Sequence, residues 1–341
     1  MRRGVLGGTT AVAVKRINIA ALMSRDASTE ANLLREVEVM EQLDHPHCLK
    51  MHRWKREGDT LEMVLELCHG PELQAVLDSR GALGEPAARL ITAQVASALA
   101  YLHSQAIVHR DLKPANLMLK ANLGDGSATA MRNAPLDASS CVVKLLDFGL
   151  SRQLAPAGMR KPKRMERMQT KRRLKLEKSK SNLAADEPAR AAAAAEADLS
   201  ELTLVGTRGY SPPEIIGAAG AAGAGGKATL SDEQAFLIDA YALGGLLRYM
   251  LTGVPPTLSL MAALEMQSPL ALLALCGCGP KLPPPAIVDP QTLSPLAREL
   301  MAGLTQSDAA KRLSVGSALA HAWTTAAKSP NKTETPTGCA A

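Results

Sequence analysis

The sequence is poor in aromatic side chains: two Trp, four Tyr and two Phe are all that its 341 residues contain. Any core it builds has to be aliphatic. It also lacks a long uncharged apolar run. The best candidate, residues 234–251, carries Asp239 and Arg248, which suits a buried helix of a globular domain better than a bilayer span. The N-terminus offers Arg2 and Arg3 but no apolar stretch of signal-peptide length, which argues against secretion. Cysteine is sparse and scattered, at positions 48, 68, 141, 276, 278 and 339. Cys276 and Cys278 form the one close pair, with no second Cys/His pair nearby, a poor zinc signature. A reduced cytosolic or nuclear setting is therefore expected. Cys339 is third from the end, so the prenylation pattern fails.

What is present reads as globular stock. Hydrophobic residues make up 46% and charged residues 21%, which separates the chain from disordered sequences. The 57 alanines stand beside Leu, Val, Ile and Met as core material. The net charge of +6 is concentrated in one place. Residues 160–180 hold 11 Lys/Arg against two Glu, and the rest of the chain carries 28 Lys/Arg against 31 Asp/Glu. Basicity belongs to that block and not to the fold. A solvated insert is the plainest reading of it, and a nuclear-import patch at 161–164 and 171–173 is the alternative. The block contains no aromatic residue to stack on bases, which disfavours a nucleic-acid partner.

Three segments look inserted: residues 121–140, 155–200 and 217–230. The last opens on GAAGAAGAGG, a linker composition. No period of 20–50 residues repeats, which excludes solenoids. Between the inserts, residues 11–17 predict a strand around a single Lys15. Residues 30–43 predict a helix with an apolar stripe at Leu33, Leu34, Val37, Met40 and Leu43, and with Glu36 on its polar side. Residues 60–67 predict a short strand and residues 86–103 a long amphipathic helix. Strands early and helices late imply an α+β chain with a small β-rich lobe and a larger α-helical lobe.

The densest chemistry is His109-Arg110-Asp111-Leu112-Lys113-Pro114-Ala115-Asn116. It sets a carboxylate, an ammonium and a metal-competent amide within six residues. Asp147-Phe148-Gly149 follows an apolar strand at 142–146, a carboxylate on a turn where a hard cation could be held. Lys15 lies in Val12-Ala13-Val14-Lys15, and Gly206-Thr207-Arg208 leads to Pro212-Pro213-Glu214. Each feature alone is weak, since a strand lysine is most often a solvated edge residue. The whole set in this order resembles the eukaryotic protein kinase family, over residues 1 to about 325. Lys113 together with Thr207 resembles the serine/threonine branch, in its cyclic-nucleotide-dependent or calmodulin-dependent groups.

The resemblance implies a two-lobed kinase fold, with lobes at 1–67 and 68–325 and a disordered tail at 326–341. It implies ATP and Mg²⁺ as cofactors and Ser/Thr hydroxyls of protein substrates as acceptors. Asp111 would be the base, assisted by Lys113 and Thr207. Lys15 would pair with the ATP phosphates and be held by Glu36, and Asn116 and Asp147 would ligate Mg²⁺. Ala13, Leu65, Glu66, Cys68 and Met118 would surround adenine, Leu65 as gatekeeper and the backbone of 66–68 facing the ring. Met40, Met51, His109 and Phe148 would stack as a spine, Asp239 would be a buried helix aspartate, and Arg312 would pair with Glu214. Glu72 matches an acidic position by which some basophilic kinases read an upstream Arg. Thr203 matches an activating site for an upstream kinase. One departure stands out: no G-x-G-x-x-G precedes Lys15, and Gly7-Gly8 reads as the turn just before the lysine strand. The first strand, the phosphate loop and most of the second strand are therefore expected to be missing. The alternative function this raises is a weak or inactive kinase-like scaffold. A cytoplasmic location, or a nuclear one through the basic block, is expected, with no membrane association.

Overall fold

The computed structural model describes residues 1–23, 29–120, 136, 141–154, 202–203, 207, 209–216, 227–228, 232–256 and 286–326. The basic block, Ser179, Ser181 and the cysteines at 276, 278 and 339 lie outside these residues. So do nearly all of the 121–140 and 155–200 segments.

The chain opens with strand β1 (Arg2–Leu6) and strand β2 (Thr10–Asn18), joined through Gly7 at φ 59° and Gly8 at φ 82°. Left-handed backbone at both positions is what a tight hairpin with the sheet's own twist demands, and glycine adopts it without steric cost. Five residues of β1 pair antiparallel with β2, from Arg2 opposite Val14 to Leu6 opposite Thr10. Helices α1 (Ile19–Met23) and α2 (Thr29–Gln42) follow, then strands β3 (Met51–Glu57) and β4 (Thr60–Glu66). The four strands form one antiparallel sheet in the order β1-β2-β4-β3. Ala13 stands directly opposite Leu65, and Lys15 opposite Met63.

Beyond the sheet the chain turns helical. Helix α3 (Leu73–Arg80) leads to α4 (Glu85–Ser104), which starts with Glu85-Pro86 in its first turn. Proline there has no amide hydrogen to leave unsatisfied, and an acidic residue suits the positive end of the helix. The buried face of α4 carries Ala88, Ile91, Val95, Leu99 and Leu102 at spacings of three and four. It packs on helix α5 (Asp232–Thr252), the apolar segment flagged in the sequence. Helix α6 (Pro295–Leu304) crosses α5 closely. A Cβ at Gly244 would sit 2.7 Å from Leu304 Cβ, so glycine sets that approach. Helices α7 (Val315–Ala320) and α8 (Ala322–Thr325) close the set. Buried Trp323 donates its indole N–H to Glu85 Oε2 at 2.8 Å and lies under Arg89.

Three short pairings of two to four residues complete the described chain. Strand β5 (Ile107–Val108) pairs with β8 (Arg152–Gln153), and β6 (Leu117–Lys120) pairs with β7 (Val142–Leu145). Strand β9 (Leu202–Thr203) pairs with β10 (Lys227–Ala228). That last pairing was not foreseen, since residues 217–230 read as one insert and two-residue strands carry no periodic signal. One continuous core runs through both lobes, from Ala13 and Val37 to Leu243 and Leu304. It is aliphatic apart from a few rings such as Phe148, Tyr249 and Trp323. The architecture is the expected two-lobed α+β arrangement.

Candidate active site

Asp239 organises the start of the His109–Asn116 segment. Its carboxylate is fully buried on α5 and accepts the backbone N–H of His109 at 2.9 Å and of Arg110 at 2.8 Å. His103 Nε2 lies 2.9 Å away, on the last turn of α4. Desolvation pushes the Asp239 carboxyl up, but the His103 hydrogen bond and the His109 amide outweigh it and hold it below its ordinary value. These two amide bonds support Arg110 at φ 66°, a left-handed conformation that a non-glycine residue adopts at a cost of about 1–3 kcal/mol. Arg110 Nε donates to Leu150 O at 2.7 Å.

The turn at Arg110 delivers Asp111 into a three-donor cage. Thr207 Oγ1 donates to Asp111 Oδ1 at 2.7 Å. Lys113 Nζ donates to Asp111 Oδ2 at 2.8 Å and to Thr207 Oγ1 at 2.9 Å. Asn116 Nδ2 donates to Asp111 O at 2.8 Å and to Oδ2 at 3.0 Å. Asp111, Lys113, Asn116 and Thr207 are therefore one cluster, although Thr207 is 96 residues from Asp111 in sequence. With its amide nitrogen committed to Asp111, Asn116 keeps its side-chain carbonyl oxygen for another partner.

Asn116 and Asp147 meet across a backbone bond, Leu146 N–H to Asn116 O at 2.8 Å. Asp147 is exposed, at φ 58°, and its Oδ1 accepts the Gly149 amide at 3.2 Å. Phe148 points the other way, fully buried, edge-on to His109 with ring centroids 5.5 Å apart. Met40 and Met51, the other two expected spine residues, are buried as well. Lys15 Nζ reaches Glu36 Oε1 at 3.3 Å. Burial pushes the Glu36 carboxyl above its ordinary value, Lys15 pulls it down, and the nearby Asp147 charge pushes it up again. Glu36 is 7% exposed, which corrects the reading that put it on the polar side of α2. It shares its face with Leu33 and Met40, and its burial is tolerable because Lys15 meets it there.

Two hard oxygens, on Asn116 and Asp147, suit Mg²⁺, which takes one or two protein ligands and completes its shell with water and phosphate. Among the described residues no group of three or more His, Cys, Asp or Glu could hold a metal. Ala13 and Leu65 are buried and paired across the sheet, next to Glu66, while Cys68 lies half-buried past the end of β4. Burial pushes the Cys68 thiol up to about 11, so it is an apolar surface there and not a nucleophile. Met118 is half-buried on β6, opposite Lys144, in a two-stranded sheet separate from the four-stranded one.

Further off, Arg312 pairs with Glu214 through two parallel bonds of 2.7 and 3.0 Å, as expected. Its side chain is wholly buried and lies over Tyr241. Glu72 precedes α3 and is exposed, and Tyr249 OH donates to Asp78 at 3.3 Å. Sequence reasoning missed His103. Its signal was its place six residues before His109, on the inner face of the amphipathic helix.

Comparison with known proteins agrees with this geometry. The protein kinase domain family matches residues 6–171. Serine/threonine-protein kinase kin-29 of Caenorhabditis elegans is 37% identical over 142 residues, 42% of this chain and 15% of its own length. Serine/threonine-protein kinase 33 of Mus musculus is 37% identical over 142 residues, 41% of this chain and 26% of its own. The 3-phosphoinositide-dependent protein kinase 1 of Arabidopsis thaliana is 31% identical over 218 residues, 64% of this chain and 32% of its own. The chain thus spans about a third or less of these relatives. Over residues 6–171 the chain is similar to the protein kinase domain, and the first two of these relatives are serine/threonine-protein kinases.

Proposed function

We propose that the chain is an active protein kinase that transfers the γ-phosphoryl group of ATP to serine or threonine hydroxyls of protein substrates. The observation that carries this reading is the cage around Asp111. A carboxylate held by Thr207, Lys113 and Asn116 is ready to accept a hydrogen bond from an incoming hydroxyl and to take its proton. ATP and Mg²⁺ supply the transferable phosphoryl group and the cation that neutralises its charge. The chain's own residues position and balance charge. Lys15, steadied by Glu36, would contact phosphate oxygens, and Asn116 and Asp147 would hold Mg²⁺. Lys113, between Asp111 and Thr207, would offset negative charge as it passes to the acceptor oxygen. A non-catalytic scaffold would have no use for a caged carboxylate of this kind.

We also infer an activating phosphorylation at Thr203. It lies in β9, in register with Lys227. Arg110 directly precedes Asp111 and Arg152 lies five residues past Asp147, and a phosphate carrying about −1.5 to −2 charges would draw on such cations to order the segment. The test is a peptide-array phosphorylation assay with MgATP, using wild type, Asp111→Ala and Thr203→Ala. Phosphotransfer lost in Asp111→Ala, by about 10²–10⁴-fold, supports the reading. Equal rates in wild type and Asp111→Ala would refute it. Full activity in phosphatase-treated protein would refute the role of Thr203.

A further inference from the structure

The β6–β7 hairpin carries both proposed metal ligands at one end. Asn116 immediately precedes β6, and Asp147 follows β7 by two residues. Midway along the hairpin, Lys144 stands opposite Met118, and Lys120 lies at its far end opposite Val142. Both ammonium groups reach a single carboxylate. Lys144 Nζ is 2.7 Å from Glu66 Oε2, and Lys120 Nζ is 3.5 Å from Glu66 Oε1. Glu66 ends β4, where the adenine-facing segment begins.

Lys144 is an unusual residue to find here. Its side chain is 9% exposed, and an ammonium taken out of water gives up hydration that one ion pair barely restores. An apolar side chain of similar size would stabilise the fold as well or better, so stability does not account for a lysine. Burial pushes the Glu66 carboxyl up, but the Lys144 hydrogen bond and the two positive charges outweigh it and hold the carboxyl below its ordinary value. On its outer side the trio borders a cavity of about 670 Å³ between residues 44–52 and 66–69. There the ion pairs join hairpin to hinge, beside a direct backbone bond from Leu119 N–H to Pro71 O at 3.0 Å. A further tie is backbone: Leu49 N–H to Leu145 O at 2.9 Å, and Glu66 N–H to Lys50 O at 2.8 Å.

We propose that Glu66, with Lys144 and Lys120, is a positioning clamp that sets the distance between the adenine-facing hinge and the metal-ligand end of the β6–β7 hairpin. The clamp rests on the kinase reading of the site for its purpose, but its mechanical part does not. Base and phosphates belong to one molecule, so a hinge and a metal end that drift relative to each other cannot both engage it. Losing the clamp weakens nucleotide binding more than it slows the chemical step once nucleotide is bound. The backbone ties through Leu119 and through 47–50 remain, which bounds the effect.

The variants are Lys144→Met, Lys144→Arg and Glu66→Gln. In nucleotide-free protein, hydrogen exchange at 66–68 and at 145–148 should quicken in Lys144→Met while α4 stays at its wild-type rate. Lys144→Arg should restore protection. By displacement of a fluorescent ATP analogue, MgATP affinity should fall about tenfold, or ~1.4 kcal/mol. The KM for ATP should rise with it, while kcat at saturating ATP stays within about threefold of wild type, the split expected of lost ground-state binding. Should Lys144→Met not fold, Glu66→Gln keeps the carboxylate's volume and carries the same expectations for exchange and for MgATP affinity. Unchanged exchange at both segments would overturn the clamp. So would quickening that extends equally to α4, or unchanged MgATP affinity in both charge-removing variants. A wild-type chain that binds no MgATP would overturn the kinase reading instead, and the exchange measurement would still decide the clamp.

Discussion

Replacing Glu214 with alanine should destabilise the helical lobe at least as much as replacing its partner Arg312, and the geometry says by how much. Arg312 donates to Glu214 twice, and also to the carbonyls of Gln306, Leu237 and Ser307. Its side chain is wholly buried, whereas that of Glu214 is 27% exposed. Breaking a buried pair costs about 3–5 kcal/mol when the remaining charge stays out of water. In Arg312→Ala the surviving Glu214 can rehydrate, which lowers the penalty. Against that, the carbonyls of Gln306 and Ser307 lose their donor, and the guanidinium leaves a void beside Tyr241. We expect about 3 kcal/mol for Arg312→Ala, a fall in Tm of roughly 6–12 °C for a domain of this size. In Glu214→Ala the guanidinium keeps its three carbonyl partners and its place over Tyr241, but its charge stays buried with no counter-charge. That variant should lose about 3–5 kcal/mol. Urea unfolding of both, with the double variant to extract the coupling, is the assay. A loss for Glu214→Ala clearly smaller than that for Arg312→Ala would refute the reasoning.

Two further outcomes follow from the site. The Asp239 carboxyl is held below its ordinary value of 3.8 in the folded chain. Its contribution to stability is therefore fully present above that value and is lost as pH falls through the lower folded one. The stability difference between wild type and Asp239→Asn, from urea unfolding at a series of pH values, should shrink as pH drops below about 4. A difference that grows on acidification would contradict this. Thr207→Val keeps the side chain's shape but removes the hydroxyl shared by Asp111 and Lys113. It should lower kcat by about tenfold, the worth of one well-placed hydrogen bond to a charged group, with Thr207→Ser near wild type. Unchanged kcat in Thr207→Val would separate that hydroxyl from the chemistry.

Much of this was legible where the chemistry is local. His109 to Asn116 fits within eight residues, so the composition of the loop displays the acid, the ammonium and the amide together. Strand β2 and helix α4 were legible because their apolar periods are long enough to distinguish two residues per repeat from 3.6. The approach of Thr207 to Asp111 and of Arg312 to Glu214 is different in kind. Separations of 96 and 98 residues carry no periodic signal, and the pairs were read from family resemblance and not from spacing. Glu36 was misplaced because a helical stripe sorts side chains by polarity alone. It cannot register that a carboxylate may turn inward when Lys15 awaits it from another element. His103, Lys144 and the β9–β10 pairing escaped for the same reason, since each is defined by a partner on a distant segment.

The most direct test of the central claim pairs nucleotide binding with phosphotransfer in one variant, Asp111→Asn. This substitution keeps the side chain's size while removing the charge that would accept the hydroxyl proton. Asp111 contacts neither Lys15 nor the hinge in the described structure, so MgATP affinity by displacement titration should stay within about threefold of wild type. The rate of serine or threonine phosphorylation should fall by about 10²–10⁴-fold. A variant that binds MgATP normally and phosphorylates peptide at the wild-type rate would contradict the assignment of Asp111 as the base.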